Sequence, residues 1–212
     1  MFTGIITGIG SITQTVPLQV QNNNDDSGKQ LTIQAPQGYL DDVVLGDSIA
    51  LNGACMTVTT LDKDQQRFTV DISAESLSCT AGLDETDKRI NLEKAMQLQD
   101  RLGGHLVTGH VDGIGMVHRM VPVQESWLLE ILVPAQIARY LAYKGSVTVN
   151  GVSLTVNSVK DMEQGTLISI NLIPHTVENT TLGDLKGGFF VNLEIDLVAR
   201  YIERMLTADK KL

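Results

Sequence analysis

The sequence predicts a mainly β protein: two tandem, homologous six-stranded antiparallel Greek-key β-barrels followed by a C-terminal α-helix. The first of three supporting observations is an internal duplication. Phe2-Thr3-Gly4-Ile5-Ile6-Thr7-Gly8-Ile9-Gly10 returns as Val107-Thr108-Gly109-His110-Val111-Asp112-Gly113-Ile114-Gly115. Asn52-Gly53-Ala54-Cys55-Met56-Thr57-Val58 returns as Asn150-Gly151-Val152-Ser153-Leu154-Thr155-Val156, and Ile90-Asn91-Leu92-Glu93 as Val191-Asn192-Leu193-Glu194. The blocks keep their order and recur at a period of about 100 residues, too long for a solenoid unit of about 20 to 50. A duplicated domain explains this, and two copies of one binding fold suggest two copies of one ligand. The second observation is short alternating runs such as Gln30-Leu31-Thr32-Ile33-Gln34, Arg67-Phe68-Thr69-Val70-Asp71-Ile72 and Ser146-Val147-Thr148-Val149-Asn150, broken by Gly, Asn and Asp. Such runs are antiparallel strands, about six per half, and closing them into a barrel removes exposed edges. The third is an apolar stripe at helical spacing after the second repeat, on Leu197 or Val198, Tyr201, Ile202, Met205 and Leu206.

In chain order, the first barrel is expected over 1–105, the second over 106–202, and the helix over 196–207, overlapping the end of the second repeat. Gln21 to Gly28 is polar and reads as a hairpin loop without an apolar anchor. Pro134 stands at the expected first position of one or two helical turns running to Leu141, whose counterpart follows Pro36. Lys94 to Arg101, between the halves, is helix-compatible and reads as a linker. With no third domain to cover it, the apolar face of the last helix must fold back or meet its copies in an oligomer.

The 212 residues suffice for two domains of about 100 residues, each able to close a core. The formal charge of −9 and the absence of a basic tract argue against nucleic-acid binding. No apolar run approaches the roughly 18 residues of a membrane span, and the first residues lack the pattern of a secretory leader. A cytoplasmic setting is expected. Cys55 and Cys79 are the only cysteines, and neither has a cysteine at its repeat position, so reduced thiols are expected rather than a structural disulfide.

The turns Gly8-Ile9-Gly10 and Gly113-Ile114-Gly115 lack the third glycine and the strand-to-helix context of a dinucleotide fingerprint. They read instead as relief in a tight barrel strand or bulge. Asn52-Gly53 and Asn150-Gly151 are hairpin dipeptides. The position two residues after each glycine is Cys55 in one half and Ser153 in the other. A cysteine in an apolar strand is most often a small buried hydrophobe, but a thiol paired with a hydroxyl suggests one ligand-facing position diversified for two tasks. No basic residue accompanies Cys55 locally to activate it as a covalent nucleophile. His110 replaces Ile5 in an otherwise repeated turn, which suits proton handling better than packing. His118 lies among surface-type residues, and His105 ends the linker beside Gly103-Gly104. A zinc pair of His105 and His110 fails on parity, since five residues apart along a strand they face opposite sides, and no tetrahedral ligand set is apparent. Ile173-Pro174-His175-Thr176 pairs with Ser73-Ala74-Glu75-Ser76, and both stretches suit a pocket rim.

The opening Met1-Phe2-Thr3-Gly4-Ile5, the Asn-Gly blocks at 52–58 and 150–156, Gly103-Gly104-His105-Leu106-Val107-Thr108-Gly109-His110-Val111 and Leu172-Ile173-Pro174-His175-Thr176 together resemble riboflavin synthases over nearly the whole chain. The resemblance implies a homotrimer of two-barrel subunits joined by their C-terminal helices, association with lumazine synthase, and no metal or redox cofactor. The implied reaction is dismutation of two 6,7-dimethyl-8-ribityllumazine molecules, transferring a four-carbon unit to give riboflavin and 5-amino-6-(D-ribitylamino)uracil. The reacting pair would lie between the N-terminal barrel of one subunit and the C-terminal barrel of the next.

Carried over by motif, the N-terminal site would use Gly4, Ile5, Ile6, Cys55, Met56, Thr57, Asp71, Ile72, Ser73, Ala74, Glu75 and Ser76. The C-terminal site would use Gly109, His110, Val111, Ser153, Leu154, Thr155, Asn171, Leu172, Ile173, Pro174, His175 and Thr176. Lys144 would reach a neighbouring subunit's ligand, and Cys55, His110, Ser153 and Thr155 would be the catalytic candidates. Two departures stand out: Asn150 where many members have Asp, and His175 where they have Glu. Asn150 cannot serve as an anionic base, and His175 either alters the pH response or caps a loop. A rival within the fold is a non-catalytic lumazine- or flavin-binding antenna protein; such relatives tend to lose the cysteine and histidine that stand here as Cys55 and His110.

Overall fold

The computed structural model describes residues 1–18 and 27–208. The first barrel is closed by β1 (Gly8–Pro17), β2 (Lys29–Gln34), β3 (Ser48–Leu51), β4 (Ala54–Asp62), β5 (Arg67–Ile72) and β6 (Arg89–Lys94), in the spatial order β1-β2-β5-β4-β3-β6. The second repeats that order with β7 (Gly113–Val123), β8 (Ser126–Val133), β9 (Ser146–Val149), β10 (Val152–Met162), β11 (Gly165–Leu172) and β12 (Phe190–Ile195). All ladders are antiparallel. Alternation sends Phe68, Val70 and Ile72 of β5 inward onto Ile12, Leu31, Ile49 and Leu92. Ile168 and Ile170 of β11 meet Val117, Ile131, Val149 and Leu193 in the same way. Even the bulges repeat: the register shifts at Ile12/Gln14 and Val58/Thr60 reappear at Val117/Arg119 and Val156/Ser158. Each bends its long strand around the barrel.

Gly10 sits where a Cβ would come within 2.7 Å of Gln34 O and 2.8 Å of Leu92 Cδ1, so the glycine-rich turns serve strand packing, as their context suggested. The two Asn-Gly turns have positive φ at both central residues, 44° and 86° at Asn52-Gly53 and 48° and 80° at Asn150-Gly151, as type I′ hairpins require. They abut across the pseudo-twofold axis, a Cβ on either glycine lying 2.8 Å from the other's nitrogen. A buried amide network surrounds them. Asn91 Nδ2 donates to Asn150 O at 2.9 Å, and Asn192 Nδ2 donates to Asn52 O at 3.0 Å. Asn150 Oδ1 accepts from Asn192 N at 2.8 Å, so its side chain is engaged within the second barrel while its carbonyl takes the bond from the first.

Three local expectations change. Lys94 to Arg101 forms no helix; after β6 the chain turns at 98–99, where Asp100 Oδ2 accepts from Gln97 N, and Leu98 has no core to cover it. Pro134 caps the short helix α2 (Ala135–Ala138) from outside rather than starting it. The segment around His105 and His110 is not a strand but irregular backbone with one bridge, Phe2 to Val107, so the parity argument does not apply to it. The expected loop at 21–28 lies outside the described residues except for Ser27 and Gly28.

Between β5 and β6 lies α1 (Ala74–Ser78), and its repeat counterpart is α3 (Pro174–Asn179). The last helix, α4 (Leu197–Ala208), is held to the second barrel by its polar face: Arg200 Nη2 reaches Asp112 at 2.7 Å, and Glu203 takes Arg139 at 2.8 Å. Val198, Tyr201, Ile202, Met205 and Leu206 all face solvent, so the apolar stripe does not fold back. Among the described residues no helix is long and apolar enough to cross a membrane.

Candidate active site

Two extended arms precede the barrels, residues 2–7 before β1 and 107–112 before β7, and pair with each other. Phe2 N donates to Val107 O at 2.8 Å and Val107 N to Phe2 O at 3.1 Å. Each arm then crosses to the other barrel. Cys55 N on β4 donates to Gly109 O at 2.8 Å, and Ser153 N on β10 donates to Gly4 O at the same distance. Val111 packs on the first core and Ile6 on the second. Glycine is needed at the crossings: φ is +75° at Gly4 and +80° at Gly109, and a Cβ would lie 2.5 Å from Ser153 Cβ or 2.6 Å from Cys55 Cβ.

This exchange regroups the expected sites. Cys55, Met56, Glu75 and Ser76 share a cavity of about 290 Å³ with Ala54, Cys79, Thr80 and Gly109, His110 and Val111. His110 thus sits beside the thiol of the first barrel, not beside Ser153, and Gly4 and Ile6 serve the second barrel. The volume is at the lower edge of small-molecule sites, roughly 300 Å³ upward. Along β4 the side chains of Cys55 and Thr57 point away from the core while Met56 is buried in it; Ser153 and Thr155 hold the matching outward positions on β10. Ile5 lines a separate cavity of about 710 Å³ that also takes in Thr7, Lys94, Met96 and Arg101.

The rim residues divide. Ser73 caps α1, its Oγ accepting from Ser76 N at 3.1 Å, and Ala74 begins that helix. Ile72 and Leu172 belong to the barrel cores. Asp71 and Asn171 face outward and bond neighbouring strands, to Gln30 at 3.0 Å and Ser126 at 2.9 Å. Ile173 and Pro174 open α3; His175 is exposed there, its ring 3.2 Å from Asn179 Nδ2, and Thr176 O accepts from Thr180 Oγ1. Lys144 sits over the Tyr143 ring and donates to Asn157 at 2.9 Å.

Three further groups at the arms were not among the site residues read from the sequence. His105 Nδ1 lies 2.7 Å from Ser153 Oγ, across 48 positions of chain, and burial, opposed by the Asp196 charge, pushes its pKa below the usual imidazole range. Its buried Nε2 has no partner among the described residues. Glu93 and Glu194 are buried carboxylates under the arms. Thr3 N and Oγ1 both donate to Glu93 Oε1 at 2.7 Å, and Gly4 N donates to Oε2 at 3.0 Å. Thr108 N and Oγ1 donate to Glu194 Oε1 at 2.7 Å, and Gly109 N to Oε2 at 2.9 Å. Burial raises both carboxyl pKa values against the lowering effect of these bonds. The duplication of the Asn-Leu-Glu block was the available signal for the pair. Among the described residues no three His, Cys, Asp or Glu side chains gather as a metal site.

The doubled architecture agrees with comparison to known proteins. The lumazine binding domain matches twice, over residues 3–95 and 108–196. The chain is 43% identical to riboflavin synthase of Photobacterium phosphoreum over 99% of its own length and 91% of that protein's. The chain belongs to the riboflavin synthase family. Other members are the riboflavin synthases of Mycobacterium bovis, 42% identical over 97% of this chain and 98% of theirs, and of Bacillus subtilis, 38% identical over 97% and 90%. Among solved structures, LumP complexed with riboflavin superposes with a TM-score of 0.78 at 25% identity, covering 92% of this chain and 99% of that one. LumP with 6,7-dimethyl-8-(1'-D-ribityl) lumazine gives 0.75 at 24% identity over the same shares and supports the fold.

Proposed function

We propose that the protein is a riboflavin synthase: it takes two molecules of 6,7-dimethyl-8-ribityllumazine and moves a four-carbon unit from one to the other. Riboflavin and 5-amino-6-(D-ribitylamino)uracil leave. Atoms and electrons balance between the two substrate molecules, so the dismutation needs no external oxidant. The observation that carries this reading is the pair of repeat-related positions in a chain so closely related to riboflavin synthases, Cys55 sharing a cavity with His110 and Ser153 hydrogen-bonded to His105. Donor and acceptor are the same compound, and a duplicated site suits both. Holding two rings in reacting geometry is worth up to about 7–11 kcal/mol of barrier. The two imidazoles are the groups best suited to move protons near neutral pH.

The exposed apolar face of α4 supports a homotrimer built through this helix, in which the first barrel of one subunit meets the second barrel of the next. A cytoplasmic location and association with lumazine synthase are further parts of this reading. The second reading, a non-catalytic lumazine- or flavin-binding antenna, draws on the LumP likeness, but Cys55 and His110 favour turnover. Incubation with 6,7-dimethyl-8-ribityllumazine alone decides between them. Appearance of riboflavin absorbance and green fluorescence is expected; tight binding with unchanged lumazine spectra supports the antenna reading.

A further inference from the structure

We infer that Glu93 and Glu194 are positioning residues that act across the barrels, each fixing an arm of its own barrel against the strand of the other that carries Ser153 or Cys55. Glu194 on β12 would hold His110 at Cys55, and Glu93 on β6 would hold Gly4 and Ile6 at Ser153. The inference rests on the proposed function for what the pockets bind, but not for the geometry.

Three donors converge on each carboxylate, two on one oxygen and one on the other. Only an acceptor-only group satisfies all three; an amide would turn an N–H toward an N–H. The hold then passes one step further. Thr108 Oγ1, donating to Glu194, itself accepts from His110 N at 3.3 Å, and Thr3 Oγ1 accepts from Ile5 N at 3.2 Å. The carboxylate thus fixes three successive residues of each arm, up to Ile5 in one and His110 in the other.

A role in packing alone explains this poorly. Glu93 and Glu194 are 4% and 2% exposed, and neither forms an ion pair among the described residues. Burying a carboxylate without a cation is costly, and a core of apolar side chains would be more stable. Yet both copies keep the glutamate, while the arm residues it positions have diverged into Ile5 and His110, and the strand residues that the arm glycines cross have diverged into Ser153 and Cys55. What the repeats share is the clamp; what differs is the cargo.

The cross-over makes the inference testable in the full-length protein. Cys55 lies under the arm clamped by Glu194, whereas Cys79, on the exposed rim of the same cavity, is open to reagent already and reports general reactivity. The experiment is peptide-resolved alkylation of both thiols by iodoacetamide, beside kcat and KM for lumazine, in Glu194→Gln and Glu93→Gln. Glu194→Gln is expected to speed Cys55 alkylation by about tenfold with Cys79 unchanged, the opening of a local contact of modest free energy. It should lower kcat by about 10- to 100-fold with a smaller change in KM, as for a misplaced reacting group. Glu93→Gln should lower kcat but leave Cys55 alkylation at the parent rate. If Glu194→Gln fails to fold, Thr108→Val, which cuts the link to His110 and keeps the carboxylate, should give the same pattern more weakly. An unchanged Cys55 rate in the Glu194 or Thr108 variant, or an equal rise in Glu93→Gln, would overturn the inference. Should the parent make no riboflavin while the alkylation pattern holds, the functional reading fails and the positioning role stands.

Discussion

Replacing Gly109 with alanine tests whether the arm from the second barrel completes the first barrel's pocket. Gly109 has φ of +80°, and an added Cβ would fall 2.6 Å from Cys55 Cβ, 2.9 Å from Phe2 Cε2 and 3.0 Å from Cys55 N. The left-handed conformation costs roughly 1–2 kcal/mol for an alanine. Overpacking adds about 1–3 kcal/mol if the neighbours yield. Carbon–carbon contact is restored only near 3.5–4.0 Å, so the arm must recede by about 1 Å, taking His110 with it. A displacement of that size can lower the rate by about 100-fold. For a chain of this length each kcal/mol lowers Tm by about 2–4 °C, so the variant should remain folded with a depressed melting point. Single-turnover riboflavin formation measured alongside thermal melting reads both effects. Gly4→Ala, whose Cβ would lie 2.5 Å from Ser153 Cβ, is expected to behave alike at the other pocket. If Gly109→Ala melts and turns over like the parent, the arm does not sit against Cys55 and the regrouping of the sites is wrong.

His110→Ile, which makes the second arm resemble the first, should cost about 10²- to 10⁴-fold in turnover and little in lumazine affinity; Cys55→Ser should lower turnover only modestly, and fluorescence titration beside single-turnover kinetics separates the two. For His105, burial lowers the folded-state pKa, so the unfolded chain takes up a proton that the folded ring refuses. Its contribution is therefore present above the ordinary imidazole value of about 6.5 and lost as pH falls below it. Melting temperature plotted against pH should fall less steeply on the acid side in His105→Gln than in the parent, and parallel curves would refute the burial argument. Truncation after Asp196 removes the exposed stripe of α4 and should yield smaller species with folded barrels in sedimentation; a truncated chain still trimeric and fully active would assign the helix another role.

The duplication made much of the fold legible. Strands show as alternation at Leu31-Thr32-Ile33 or Phe68-Thr69-Val70, and each repeat vouches for the other. The exchange of arms was not legible, because Gly4 and Gly109 look the same whichever barrel they visit. Local pattern encodes the glycine's backbone freedom but not the identity of the strand it approaches. His105 was hidden for a related reason: its partner Ser153 is brought close only by barrel closure and the arm crossing. At Lys94 to Arg101, helical propensity had no buried face to act on, and the Asp100 turn prevailed. Asn150 read as a departure at a catalytic motif; its place in the amide network appears only once the two type I′ turns abut.

The central claim, that one chain type converts two identical lumazines without outside chemistry, is tested most directly by mass balance. The purified full-length protein is incubated with 6,7-dimethyl-8-ribityllumazine and no other reactant, and lumazine, riboflavin and 5-amino-6-(D-ribitylamino)uracil are quantified by chromatography over the full time course. The account predicts equal amounts of the two products, each half of the lumazine consumed. Lumazine that binds but is never consumed, or riboflavin formed without its pyrimidine partner, would contradict it.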